Sequence, residues 1–190
     1  RLIKSRIKVF FSHDKKNLDK ATMVVISSAI KKNNKELKVA KFKKIPIFKR
    51  GEMLANIVAL KKNIVISGSH GKTTTTSLVA NILLEAGLDP TIINGGVINS
   101  FKNTAQLGKG EWAVIESDES DGSFLQLPVT YSIVTNVDKE HLDHYGDFNK
   151  LKKSFGKFIE KTPSFGKSFV CADNKILKSI LASLNNNNYL

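Results

Sequence analysis

The sequence predicts an α/β fold built on parallel sheets. Three observations carry it. Short apolar runs alternate with longer amphipathic ones along the whole chain, which is the rhythm of βαβ units. Three of the apolar runs end directly in polar clusters, at 68–73, 116–121 and 136–144, and in a parallel sheet such ends lie on one rim. One run, Ile64-Val65-Ile66-Ser67, passes through Gly68-Ser69-His70-Gly71-Lys72-Thr73 into a helix-like segment, so strand, glycine turn and helix N-terminus follow one another.

The N-terminal part, residues 1–60, reads as short strands and helices. Residues 7–11 form a candidate strand, and residues 22–27 are apolar enough for a buried parallel one. Ser27 and Ser28 follow that strand's carboxyl end, where open α/β sheets collect ligands, or they simply begin a connection. Asn33 or Asn34 caps a helix over 35–43. Residues 45–48 are a short strand with Pro46 near its start, and 51–60 a helix with an apolar stripe of Met53, Leu54, Ile57, Val58 and Leu60. Lys61-Lys62-Asn63 then marks a boundary, because the βα pattern restarts there. The expected division is 1–60, Rossmann-like, and 61–190, of P-loop type.

The loop after Ser67 has the parts of a phosphate cradle. N–H groups at a helix N-terminus lack intrahelical partners and point at an anion. Gly68 and Gly71 let the backbone wrap closely, Lys72 supplies a point charge for β- and γ-phosphates, and Thr73 offers a hydroxyl to Mg2+. The motif is the short G-x-x-G-K-T, since position 66 holds Ile66 where the longer motif has Gly. An ordinary strand–turn–helix corner would share its outline.

Gly87 and Pro90 stop the following helix. Thr91-Ile92-Ile93 is a strand ending in Asn94-Gly95-Gly96, where two glycines allow a tight loop or close approach to a ligand; residues 97–110 read as irregular. Trp112-Ala113-Val114-Ile115-Glu116 is a strand that runs into Ser117-Asp118-Glu119-Ser120-Asp121. Four carboxylates, Glu116, Asp118, Glu119 and Asp121, cannot all be buried there without a counter-charge, and Mg2+ is one such charge. The strand at 130–135 ends in Asn136-Val137-Asp138-Lys139-Glu140-His141-Leu142-Asp143-His144. That spacing is not His-Glu-x-x-His, which argues against a zinc protease. An amphipathic helix over 148–161, a strand over 168–172, a helix over 175–184 and an Asn run at 185–188 complete the chain.

Composition bounds the function classes. The 41% hydrophobic and 25% charged content is that of a globular protein. No apolar run approaches the roughly 20 residues that span a bilayer, so no membrane insertion is expected. The single Cys171 fits a reducing, cytoplasmic setting. The net charge of +13 comes from lysines scattered along the chain, with no nucleic-acid motif beside them, so nucleic acid is not an expected partner. A first residue of Arg1 in place of Met suggests a fragment.

These segments together resemble the Mur ligase family: Gly-Ser-His-Gly-Lys-Thr-Thr-Thr-Thr, Ile-Asn-Gly-Gly, Glu-Ser-Asp-Glu-Ser-Asp-Gly-Ser-Phe, and Thr-Asn-Val-Asp-Lys-Glu-His-Leu-Asp-His-Tyr-Gly. The resemblance covers essentially the whole chain. It implies the later part of a UDP-sugar-binding domain in residues 1–60 and most of a central ATPase domain in 61–190, in a fragment inactive alone. The Asp-Glu-Ser-Asp and Glu-His-Leu-Asp-His-Tyr segments imply UDP-N-acetylmuramate as acceptor and L-alanine as the amino acid added, through an acyl phosphate in peptidoglycan precursor synthesis. ATP and Mg2+, with Mn2+ as a substitute, are the implied cofactors. By the same resemblance Lys72, Glu116 and His141 are catalytic, and Thr73, Glu116 and His141 are metal ligands. Gly68, Ser69, His70, Gly71, Lys72, Thr73, Thr74 and Asn136 bind the nucleotide. Ser27, Ser28, Asn94, Gly95, Asp118, Glu119 and Ser120 face substrate. A sister amide ligase with another acceptor or amino acid, and a non-catalytic phosphate- or polyanion-binding module, are the competing readings.

Overall fold

A computed structural model gives the fold and describes residues 3, 6–98, 103–184 and 188–190. The chain divides into two compact units, Arg1–Met53 and Leu54–Leu190.

The first unit is small. β1 (Val24–Ile26) and β2 (Ile47–Lys49) pair in parallel, Val24 opposite Ile47, with α1 (Lys35–Phe42) as the crossover between them. Asn34 starts α1 by accepting from the N–H groups of Glu36 and Leu37 at 2.9 and 3.2 Å, which satisfies two first-turn donors. Leu37 and Ala40 are the helix residues it buries. Two expectations fail here. Residues 7–11 form no strand, and Phe11 stands 94% exposed: apolar, β-prone residues make a strand only where a neighbouring edge accepts their hydrogen bonds. β1 is a strand but not a buried one, Val25 being 46% exposed, because among the described residues it pairs with β2 alone.

α2 (Arg50–Val58) leads into the second unit, where Val58 is fully buried with Leu54 and Ala55 packed beside it. The apolar stripe read from 51–60 is only half used: Ile57 stays exposed within the helix, and Leu60 lies beyond its end at Val58 and is exposed too.

The second unit is a six-stranded sheet in the order β5-β4-β6-β3-β7-β8. β3 (Lys62–Ser67) is central, pairing in parallel with β6 (Trp112–Glu116) and β7 (Tyr131–Val134). β8 (Ser168–Val170) adds to β7 and β4 (Thr91–Ile98) to β6, again in parallel. α3 (Lys72–Glu85) covers one face, over Ile66, Ile92 and Val114. α5 (Phe148–Glu160) and α6 (Lys175–Leu181) cover the other, over Val65, Ile115 and Val134. α5 buries Leu151, Phe155, Phe158 and Ile159, the face its 3.6-residue period predicts, and Asp147 caps it by accepting from the Lys150 N–H at 2.9 Å.

One stretch differs from the sequence reading. Asn94-Gly95-Gly96 is not a turn: β4 runs through it to Ile98, and β5 (Asn103–Gln106) pairs back antiparallel as the edge strand. Of the expected Asn run, 185–187 lie outside the described residues.

Candidate active site

β6, β3 and β7 are parallel neighbours, so their carboxyl ends share one rim.

The loop between β3 and α3 turns on two glycines. Gly68 has φ 136°, and a Cβ there would stand 2.2 Å from Thr135 Oγ1 and 2.9 Å from the Asn136 carbonyl oxygen. Gly71, the α3 N-cap, has φ 79° with open space around it, so it serves for conformation alone. The N–H groups of the α3 first turn, which Lys72, Thr73 and Thr74 open, have no intrahelical partners. Those of Ser69 and His70 are already spent: Ser69 donates to the Asn136 carbonyl at 3.0 Å, and His70 to Asn136 Oδ1 at 2.8 Å. In this structure the N–H groups of Ser69 and His70 therefore serve the loop itself.

Lys72 folds back over the loop. Its ammonium donates to the Gly68 carbonyl at 2.6 Å and meets both oxygens of Glu119, at 3.0 and 2.9 Å. Glu119 is 1% exposed and Lys72 17%. The acidic segment thus finds its counter-charge in a lysine of the phosphate loop. The Asp118 carboxylate accepts from the Ser120 N–H at 2.9 Å, a turn at whose centre Glu119 points inward. Glu119 is consequently buried against Lys72 in this structure. Burial opposes ionisation of Asp118, but hydrogen bonds from Ser120 and the charges of Lys72 and His141 outweigh it and hold its pKa below the ordinary carboxylate value. The Tyr145 hydroxyl donates to the Glu119 carbonyl. Burial first, then the charges of Glu119, Asp121 and Asp118, push that phenol up to about 12, so it stays a neutral donor.

Thr73 and Glu116 stand together. The Thr73 hydroxyl reaches both Glu116 oxygens at 3.1 and 3.0 Å, and the Gly95 N–H donates to the same carboxylate at 2.7 Å. A Cβ at Gly95 would lie 2.9 Å from Glu116 Oε1. The close approach expected at Gly95 is thus made by a carboxylate. Among the described residues Glu116 has no cation within ion-pair distance, and its neighbours are neutral donors. Next to it, both amide atoms of buried Asn94 lack a hydrogen-bond partner among the described residues.

His141 begins α4 (Leu142–Tyr145) with φ 54°, uncommon for a residue with a side chain. Its Nε2 lies 3.5 Å from Glu119 and 3.9 Å from Glu140. Ligand atoms of Glu119, Glu140 and His141 all lie within 4.8 Å of one another. The metal ligands expected from sequence therefore fall into two sets, Thr73 with Glu116, and His141 with Glu119 and Glu140. Both sets suit a divalent cation, the first being all oxygen. His70 Nε2 meets Asp138 at 3.0 Å and Glu140 at 3.7 Å.

Sequence reasoning left Thr135, Asp138, Glu140 and Tyr145 without roles in the nucleotide site. Their position after a strand that ends on the phosphate-loop rim was the available signal. Ser27 and Ser28 lie exposed after β1 in the first unit.

Residues 66–190 match the description Mur ligase middle domain, and residues 1–62 match Mur ligase family, catalytic domain. The chain is 63% identical over 189 residues to the UDP-N-acetylmuramate–L-alanine ligase of Pelagibacter ubique, covering 100% of this chain and 41% of that protein. It is 46% identical over 184 residues to the same-named ligase of Methylobacterium radiotolerans, covering 97% and 39%. The chain thus spans about two fifths of the length of these curated relatives. Among solved structures, the UDP-N-acetylmuramate–alanine ligase of Thermotoga maritima superimposes with a TM-score of 0.85 at 27% identity, over 94% of this chain and 42% of that one. The UDP-N-acetylmuramate:L-alanyl-gamma-D-glutamyl-meso-diaminopimelate ligase of Neisseria meningitides gives 0.86 at 26%, over 95% and 62%. With the middle-domain match alone spanning more than half of its residues, the chain belongs to the Mur ligase family.

Proposed function

We propose that this chain carries the ATP-handling part of a cytoplasmic ligase that joins L-alanine to the carboxylate of UDP-N-acetylmuramate. The observation that carries the reading is the meeting of Lys72, Thr73, Glu116, Glu119 and His141 on one strand rim. The identity to ligases of that name supports the choice of substrates. Residues 61–190 act as the ATP-binding domain in this reading, and residues 1–60 as part of the UDP-sugar domain, with Ser27 and Ser28 toward the sugar nucleotide.

The muramate carboxylate attacks the γ-phosphorus of ATP, giving an acyl phosphate and ADP; the alanine amine then attacks the acyl carbon and phosphate leaves. Such phosphoryl transfer is catalysed by positioning and charge neutralisation. Lys72 balances phosphate charge, exchanging Glu119 for the phosphates as its partner. The α3 first-turn N–H groups of Lys72, Thr73 and Thr74 receive phosphate oxygens. Thr73 and Glu116 would hold one Mg2+, and His141 with Glu119 and Glu140 would hold a second, with Mn2+ able to substitute. The metal supplies charge neutralisation for the transferring phosphoryl group. The unpaired amide of Asn94, beside Gly95, is hydrogen-bonding capacity that the site leaves open to substrate.

The test follows phosphate release from ATP by the full gene product containing this chain, with UDP-N-acetylmuramate present and one amino acid added at a time. Release that requires both the sugar nucleotide and L-alanine is expected. Release with another acceptor or amino acid would move the protein to a sister specificity. Folded protein that releases none under any pairing would leave only a phosphate-binding module.

A further inference from the structure

We infer that Asn136 and Thr135 are positioning residues that hold the phosphate loop in shape from the end of β7, and that Asn136 makes no contact with the nucleotide. This rests on the ATP reading above, but the observation that motivates it is independent of any ligand.

The loop is short. With Ile66 still inside β3, only residues 68–71 connect strand to helix, and two of the four are glycines at positive φ. Glycine raises the entropy lost on ordering such a turn, so something outside the loop must fix it. The segment 135–138 does so residue by residue. Thr135 donates its N–H to the Ser67 carbonyl at 3.1 Å and its hydroxyl to the His70 carbonyl at 2.6 Å. The place where a side chain on Gly68 would stand is filled by Thr135 Oγ1 and the Asn136 backbone. The Asn136 carbonyl takes the Ser69 N–H, and the Asp138 N–H donates to Ser69 Oγ at 2.9 Å.

The Asn136 side chain completes the hold. Its Oδ1 accepts the His70 N–H at 2.8 Å while its Nδ2 donates to the His70 carbonyl at 3.0 Å. One carboxamide thereby grips both backbone groups of a single residue, as a neighbouring strand would. Only a side chain with an adjoining acceptor and donor can do this, which an aspartate or an aliphatic residue cannot. With both polar ends spent on the loop, the carboxamide is directed at the protein. What it controls is where Gly71 and the α3 first turn present their N–H groups.

The test compares wild type with Asn136→Ala in the full gene product, by amide hydrogen exchange and by binding of ATP and of inorganic tripolyphosphate. Amide exchange at His70 is expected to speed up about tenfold or more, and at Ser69 by less, with β3 and α5 unchanged, since the variant loses both side-chain bonds to His70 but keeps the Asn136 carbonyl that takes the Ser69 N–H. Affinity for tripolyphosphate should fall by the same factor as affinity for ATP. Thr135→Val should reproduce both effects and Thr135→Ser restore them, which keeps the test decisive should Asn136→Ala fail to fold. Lost ATP binding with undiminished tripolyphosphate binding would make Asn136 a nucleoside contact and overturn the inference. So would unchanged exchange at residues 69 and 70. Wild type that binds neither anion would sink the ATP reading, while the exchange measurement would still decide the latch.

Discussion

Lys72 and Glu119 form the site's tightest charge pair, and the two residues differ in what their removal costs. Glu119 is the more deeply buried partner, so deleting the lysine strands a carboxylate in low dielectric. Lys72→Ala should lower stability by about 3–5 kcal/mol, the cost of breaking a buried pair by removing one partner. It should also lower phosphate release by about 10²–10³-fold, the effect of losing one donor to the transition-state charge. Lys72→Met combined with Glu119→Leu tests the stability effect, while also removing one proposed ligand of the second metal. The double variant should regain most of the stability, since a buried ion pair is replaceable by apolar packing, yet stay as inactive as Lys72→Ala. Denaturant unfolding of the chain, followed through its one tryptophan, Trp112, reads the first quantity, and phosphate release by the full gene product reads the second. A double variant that recovered activity would show that Lys72 does no more than neutralise Glu119.

At the scale of elements, the acidic segment is fixed by α5. Phe124 follows the carboxylates in a short 3-10 turn and packs its ring 5.4 Å from Phe155 and 5.1 Å from Phe158. All three rings are fully buried. Phe155→Ala should cost about 3–5 kcal/mol by emptying that cluster. It should also speed amide exchange across 117–123 more than across β3, because the turn loses its anchor; equal change in both would refute the link. Helix α5 was legible in advance because its inward residues keep a 3.6-residue period. Phe124 carried no such signal, being one apolar residue after an acidic run. Strand ends were legible from apolar runs meeting polar clusters, and their convergence followed from parallel topology alone. Which side chain meets which was not. Gly95 reads equally as turn or close approach, and only the pairing of β4 with β6 brings the Glu116 carboxylate against it. Residues 7–11 misled because strand propensity reports fit to an edge, and the sequence does not say whether an edge is there.

At the scale of the whole molecule, the two units differ in how much they bury. In the first, the buried apolar residues among those described are Leu18, Leu37 and Ala40, and its sheet is two strands of three residues each. Phe11 and Phe42 remain 94% and 88% exposed there. In the second, a six-stranded sheet is covered on both faces, with Phe124, Phe155, Phe158, Ile66 and Ile115 fully buried. Buried apolar area is the main favourable term in folding, at about 25 cal/mol per Å². Local opening energies therefore should not be uniform, and the sparser unit should open first. Native-state hydrogen exchange on this chain is expected to show β1 and β2 amides exchanging by a low-energy opening that leaves β3, β6 and β7 protected. The test has a built-in control, since Lys72→Ala should lower protection in the second unit and leave the first unchanged. Protection of Val24–Ile26 equal to that of Lys62–Ser67, falling together in the variant, would mean that the two units unfold as one and that the difference in burial does not set the order of opening.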